Sequence, residues 1–305
     1  MAASVLIVGG THGNECNGPW LLQHWGPEPQ QLQRRGLSVR TEIGNPAALQ
    51  AGRRYIDKDL NRSFIDELLE DPGISCLEGQ RAQQLLASHG PTGQMPAQVL
   101  IDLHSTTAAM GNCLVLYGRR PADLALAAGC QEELGLPVYL HESDPRQTGF
   151  MAQAWPCGLA LEVGPVAQGV LSPQICRQSE LGLAVLLDVL EKAAAGQLNL
   201  RRHLQIHRHL GSVDLPRDSS GLPCACLHPQ RLCGDWQELP AGDPLFQHAD
   251  GTTITFAGDP EGPVHTVFSN EAAYQEKGIA TSLTRREHLP AQPSWVDALQ
   301  AVLQN

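Results

Sequence analysis

The chain has 305 residues, an apolar fraction of 42% and a formal net charge of -11. That balance fits a globular protein with a sizeable core and excludes a general nucleic-acid binder, because phosphate contacts need Lys and Arg spread over a wide face. The opening Met1-Ala-Ala-Ser lacks a signal-peptide pattern and no run approaches a membrane span, so the expectation is a cytoplasmic protein without a membrane partner.

Short apolar runs predict strands over 4–8, 37–43, 98–103, 112–117, 137–141 and 158–163. Between them, longer stretches predict helices over 14–25, 78–89, 121–134 and 174–195. Such alternation is the pattern of an α/β layer fold. The last helix follows Ser172-Pro173, an N-cap and a residue favoured in the first turn, and Gly196 is a suitable stop. From about residue 200 the texture changes to strand-like runs between turn sequences such as Leu239-Pro-Ala-Gly-Asp-Pro244 and His248-Ala-Asp-Gly251. This change places a linker near 196–202 and divides the chain into 1–198 and a smaller β-rich domain, 199–305.

The nine cysteines are odd in number and lack paired C-x-x-C spacing, which suits free thiols in a reducing compartment. Cys224 and Cys226 fall on one face of a predicted strand without forming a metal site. His203, His207 and His209 have no carboxylate near them in sequence, and a solvated strand or linker accounts for the trio.

Chemistry concentrates at the ends of the first-half strands. His12 and Glu15 lie in the turn after the first apolar run, and Gly9, Gly10 and Gly13 allow that turn to be tight. His104 ends the run Val99-Leu-Ile-Asp-Leu-His104, and Glu162 ends Leu159-Ala-Leu-Glu162. Carboxyl ends of parallel strands are where crevices form. Two His and one carboxylate leave a zinc ion one open position, the pattern of catalytic sites. Asp102, two residues before His104 on the same strand face, is either an acceptor for the imidazole N–H or a cap of a neighbouring turn. Arg53, Arg54 and Arg62 form a local basic cluster in an acidic chain, which suggests a focused anion site.

Several blocks carry a family resemblance: Gly9-Gly-Thr-His-Gly-Asn-Glu15, Arg54-Tyr-Ile-Asp-Lys-Asp-Leu-Asn-Arg62, Asp102-Leu-His-Ser-Thr-Thr107 and Glu162-Val-Gly-Pro-Val-Ala-Gln-Gly-Val-Leu171. Val213-Asp-Leu-Pro-Arg-Asp218, His228-Pro229, Gly242-Asp-Pro-Leu-Phe246 and Asn270-Glu-Ala-Ala-Tyr274 extend it through the second half. In this order they resemble the succinylglutamate desuccinylase/aspartoacylase family of zinc carboxypeptidase-like enzymes. The resemblance implies a mixed sheet flanked by helices over 1–198, with the β-rich domain covering the active site. It further implies one Zn2+ per subunit on His12, Glu15 and His104, with Glu162 as general base toward the attacking water and Arg54 stabilising the oxyanion. By the same resemblance Asn61, Arg62 and Tyr274 clasp the substrate α-carboxylate and Phe64 lines the acyl pocket. Arg146 is the nearest candidate for a side-chain carboxylate, and the family's second basic residue after the Asn270–Tyr274 block is replaced by Gly278, with Lys277 adjacent. The implied reaction cleaves N-acetyl-L-aspartate to acetate and L-aspartate. A broader N-acyl amino acid deacylase and a zinc-binding module without turnover are the alternatives. The partner is a small N-acyl amino acid, and homo-oligomers are common in the family.

Overall fold

The computed structural model describes residues 2–25, 30–142, 144, 147–200 and 203–304. The first half runs β1 (Ala3–Gly9), α1 (Asn17–Trp25), β2 (Leu37–Ile43), α2 (Pro46–Ala51), α3 (Asp66–Leu69), α4 (Leu77–His89), β3 (Val99–Ser105), β4 (Gly111–Tyr117), α5 (Pro121–Leu134), β5 (Val138–His141), β6 (Cys157–Gly164) and α6 (Pro173–Ala194). There follow β7 (His203–Val213), β8 (Ala225–Leu227), β9 (Glu238–Leu239), β10 (Pro244–His248), β11 (Thr253–Thr255), β12 (Val264–Val267), β13 (Thr281–Pro290) and α7 (Pro293–Gln304).

Each predicted strand is present, because β1, β3 and β6 are apolar on both faces and can be satisfied only between two packed layers. In β1, Val5 and Ile7 join one core under α5, α6 and α7, while Leu6 and Val8 join a second on the opposite face. The sheet order is β2-β1-β3-β6-β4-β5-β7-β13-β12-β9. β2, β1, β3 and β6 run parallel, β4 is antiparallel to β6, and β13, β12 and β9 continue antiparallel beyond β7. The fold is thus a large mixed α/β sheet flanked by helices, with a β-rich C-terminal part that adds a separate three-stranded sheet, β11-β10-β8. Among the described residues no helix is long and apolar enough to cross a membrane.

Two expectations are corrected. α1 starts at Asn17 and not at 14, because residues 11–16 form the turn that carries His12 and Glu15. β7 is not a solvated strand throughout: it fills the sheet between β5 and β13, and its inward-facing His207 and His209 are buried while His203 is exposed. The cap calls at α6 hold, with Ser172 Oγ accepting from the Ile175 N–H at 3.4 Å and Gly196 left-handed at φ +69°.

Candidate active site and metal centre

β1 ends at Gly9, and the turn after it is set by close packing. Gly10 takes a left-handed φ of +73°, whereas Gly13 is required by proximity: a Cβ there would lie 2.0 Å from the Ala48 carbonyl carbon in α2. This turn faces the end of β3, bringing His12, Glu15 and His104 together, all buried, with one ligand atom from each lying within 4.8 Å of the others. Glu15 stands between the rings. Its Oε1 is 2.7 Å from His12 Nδ1 and its Oε2 is 3.0 Å from His104 Nδ1.

The opposite ring nitrogens are also held. His12 Nε2 lies 3.0 Å from Asp59 Oδ1, and His104 Nε2 lies 2.6 Å from Asp102 Oδ2, whose other oxygen accepts from Thr11 Oγ1 at 2.7 Å. Asp102 therefore orients the imidazole. Carboxylates on the outer nitrogens fix ring rotation and tautomer and leave both Nδ1 atoms to share one ion, so this donor set fits a metal with one or more open positions. Burial pushes the Glu15 carboxyl up, yet the two imidazoles overcome it and hold the group well below the usual range. His104 is the converse case: burial disfavours its cation, and Asp102 and Glu15 hold it well above the ordinary value.

Glu162 is the register partner of His104 across β3 and β6. Burial pushes its carboxyl up to about 8 despite the opposing His104, and its buried Oε2 has no hydrogen-bond partner among the described residues. Arg54 donates to Glu15 Oε1 at 3.2 Å and to Asp59 Oδ2 at 3.3 Å. Burial would weaken its cation, but Asp59 and Glu15 keep it firmly charged. Asn61 Oδ1 accepts from the Met151 N–H at 2.9 Å, which leaves its NH2 as a donor. Arg62 donates to Gln147 Oε1 at 2.9 Å and lies over the Phe150 ring at 4.0 Å.

His12, His104, Glu162, Arg54, Asn61, Arg62 and Tyr274 all line one cavity of about 410 Å³, solvent at its mouth included. Much of its remaining wall is aromatic, with Tyr117 stacked on Phe150 at 4.1 Å, and His141, Val115 and Gln147 also line it. Burial and the neighbouring His209 hold His141 down to about 4, so its imidazole is neutral. Phe64 is not among the described lining residues of this cavity; its ring packs in the core, 6.1 Å from that of Trp155. Arg146 lies outside the described residues.

Two residues that brace the site, Asp59 and Glu271, escaped the sequence reading. Asp59 sits inside a quoted block, but its contact with His12 depends on a loop closure that no local spacing reports. Glu271 caps the short helical turn 272–277, accepting from the Ala273 N–H at 3.0 Å. Its other oxygen takes the Thr106 hydroxyl together with Thr107 and Ala108 N–H groups at 2.8 and 3.3 Å. That clamp fixes the turn bearing Tyr274 to the end of β3. Lys277, on the same turn, lies 3.6 Å from Asp59 Oδ2 and 5.5 Å from the Tyr274 ring centre, and burial pushes its ammonium down to about 8.

A mixed α/β sheet bearing a buried His-Glu-His set, a flanking carboxyl and two guanidinium groups fits a hydrolase, with one candidate metal centre among the described residues. The model of the succinylglutamate desuccinylase/aspartoacylase catalytic domain matches residues 2–190, and the barrel-sandwich hybrid domain of the same group matches residues 202–286. The chain belongs to the succinylglutamate desuccinylase/aspartoacylase family. A protein of Parasynechococcus marenigrum named "Probable aspartoacylase" is 54% identical over 98% of each chain. The crystal structure of murine aminoacylase 3 superposes with a TM-score of 0.85 at 33% identity, covering 95% of this chain and 97% of that one. The succinylglutamate desuccinylase of Chromobacterium violaceum shares the fold at TM-score 0.57 and 16% identity, over 95% of this chain and 86% of the other.

Proposed function

We propose that the protein is a zinc-dependent amidohydrolase that cleaves N-acyl-L-amino acids to a carboxylic acid and the free amino acid, with N-acetyl-L-aspartate as its substrate. The observation that carries this reading is the pair of Nδ1 atoms and one carboxylate sharing a site beside Glu162, whose buried Oε2 has no hydrogen-bond partner among the described residues. A zinc ion held by His12, Glu15 and His104 would lower the pKa of a water toward neutrality and polarise the scissile carbonyl. Glu162 takes the proton from the attacking water and delivers it to the leaving nitrogen, so the C–N bond breaks as the amine departs neutral. Its raised pKa suits the return of the proton. Arg54 receives the negative charge that builds on the carbonyl oxygen. Asn61, Arg62 and Tyr274, which line the cavity, hold the α-carboxylate.

The name of the 54%-identical relative supports aspartate as the released amino acid. A second reading, a preference for uncharged aromatic side chains, is favoured by the wall of Tyr117 and Phe150 and the neutral His141. Steady-state hydrolysis of N-acetyl-L-aspartate, N-acetyl-L-glutamate and N-acetyl-L-tyrosine, each with and without a zinc chelator, tests both. Chelator-sensitive turnover with the aspartate compound preferred upholds the proposal. Preference for the tyrosine compound retains the chemistry and moves the substrate class, and chelator-insensitive turnover rejects the metal role.

A further inference from the structure

Glu78 lies in the first turn of α4, fully buried, and does not line the site cavity. Among the described residues no cation pairs with it, and four N–H donors satisfy its carboxylate instead. Oε1 accepts from the Ile56 N–H at 2.7 Å and from Asn45 Nδ2 at 3.0 Å, and Oε2 accepts from the Asp57 and Lys58 N–H groups at 3.0 and 3.1 Å. Three of these donors are consecutive in the chain, so the loop that leaves Arg54 wraps its backbone around a buried anion. Burial pushes the Glu78 carboxyl up, and the loop N–H groups with Asn45 overcome it and hold the group below its ordinary value.

The fourth donor ties the same carboxylate to the turn of the metal ligands. Asn45 N–H donates to the Gly10 carbonyl at 2.9 Å, and Asn45 Oδ1 caps α2 by accepting from the Ala48 N–H at 3.1 Å. From that turn Gly13 N–H reaches the Arg54 carbonyl at 3.2 Å. None of residues 55–58 is buried, so their side chains do not anchor the loop in the core, and its backbone is the handle. We infer that Glu78 is a positioning residue for the proposed hydrolysis: it fixes the backbone at 56–58 and thereby holds Arg54 against the turn of His12 and Glu15. The inference rests on the deacylase reading above, which gives Arg54 its role. Arg54 lies close before the clamped residues in the chain, a tether too short to absorb a displaced backbone, and a catalytic group misplaced by about 1 Å can cost about 10²-fold in rate.

The test uses Glu78→Gln, which keeps the shape but turns amide N–H groups toward the N–H groups of the loop. The substrate is whichever of the three N-acetyl compounds above the wild type turns over fastest. With metal content at the wild-type level, kcat/KM should fall by about tenfold or more, and hydrogen exchange of amides 54–62 should quicken while β3 and α5 keep their protection. Glu78→Asp, which keeps the charge and shortens the reach, should show the same pair of changes more weakly and replaces the first variant if that one misfolds. Added to Arg54→Ala, Glu78→Gln should cost no more than about threefold, because the group it places is already gone. A tenfold loss in both backgrounds overturns the inference, as does a variant that melts earlier yet keeps wild-type kcat and KM. Exchange raised equally in β3 and α5 also overturns it, since Glu78 would then brace the whole fold. A wild type that hydrolyses none of the compounds defeats the deacylase reading and the inference with it, whereas any of the other outcomes leaves that reading intact.

Discussion

Glu162 and Arg54 meet different moments of the proposed reaction, and substitution separates them. Glu162→Gln preserves shape but cannot accept a proton, so turnover should fall by about 10²- to 10⁴-fold while metal content, counted by elemental analysis, remains at the wild-type level. Undiminished turnover would remove Glu162 from the role of base. Arg54→Ala should lower kcat by about 10²-fold, whereas Arg62→Ala should act mainly on KM, because the α-carboxylate is charged before the transition state is reached. Parallel rises in KM alone for both variants would dissolve that distinction. Much of this chemistry is legible in the sequence because His12, His104 and Glu162 each end or follow an apolar run, and parallel strands converge at their carboxyl ends. Asp59 was not legible: it lies in the loop after Arg54, where no helical or strand period says which side chain turns inward, and the loop sends it to His12.

At the scale of elements, β7 shows what local composition misses. Its histidines read as polar, yet the strand's place between β5 and β13 buries His207 against the rings of Trp236 and His265, at 5.0 and 5.1 Å. Burial holds His207 down to about 4, with His265 and Arg286 acting in the same direction. The unfolded chain therefore binds a proton near its ordinary value of about 6.5 that the folded chain refuses. Stability should fall as pH drops from about 6.5 toward 4, and this contribution stops growing below that window. Urea midpoints measured for wild type and His207→Gln between about pH 7 and pH 5 should show a shallower decline in the variant; equal slopes would exonerate His207. The turn at 272–277 gives a second case. Glu271→Ala releases the clamp on Thr107 and Ala108, so KM should rise by about tenfold with metal retained, and stability should fall by about 1.5–3 kcal/mol. A KM unchanged in a folded variant would detach Tyr274 from that clamp.

Across the whole molecule, the change of texture near residue 200 is real, yet the main sheet runs through it, from β5 to β7 and on to β13. Strand composition reveals where β-rich sequence begins but not which edge it joins, since that depends on pairing between residues far apart in the chain. A shared sheet makes the two halves mutually dependent, so calorimetry should record one cooperative transition, shifted downward by a chelator through loss of binding free energy. Two resolved transitions would mean that the halves unfold apart. α7 makes the dependence stronger still. Its Trp295, Leu299 and Leu303 complete the core beneath α5 and α6, elements made much earlier in synthesis. Until residues 293–304 clear the ribosome, that apolar groove stays open on the nascent chain, where chaperones bind exposed apolar surface. Final closure of this fold therefore waits for residues 293–304, and a stop codon before position 293 would yield a protein recognised by quality control even though every candidate catalytic residue had been made.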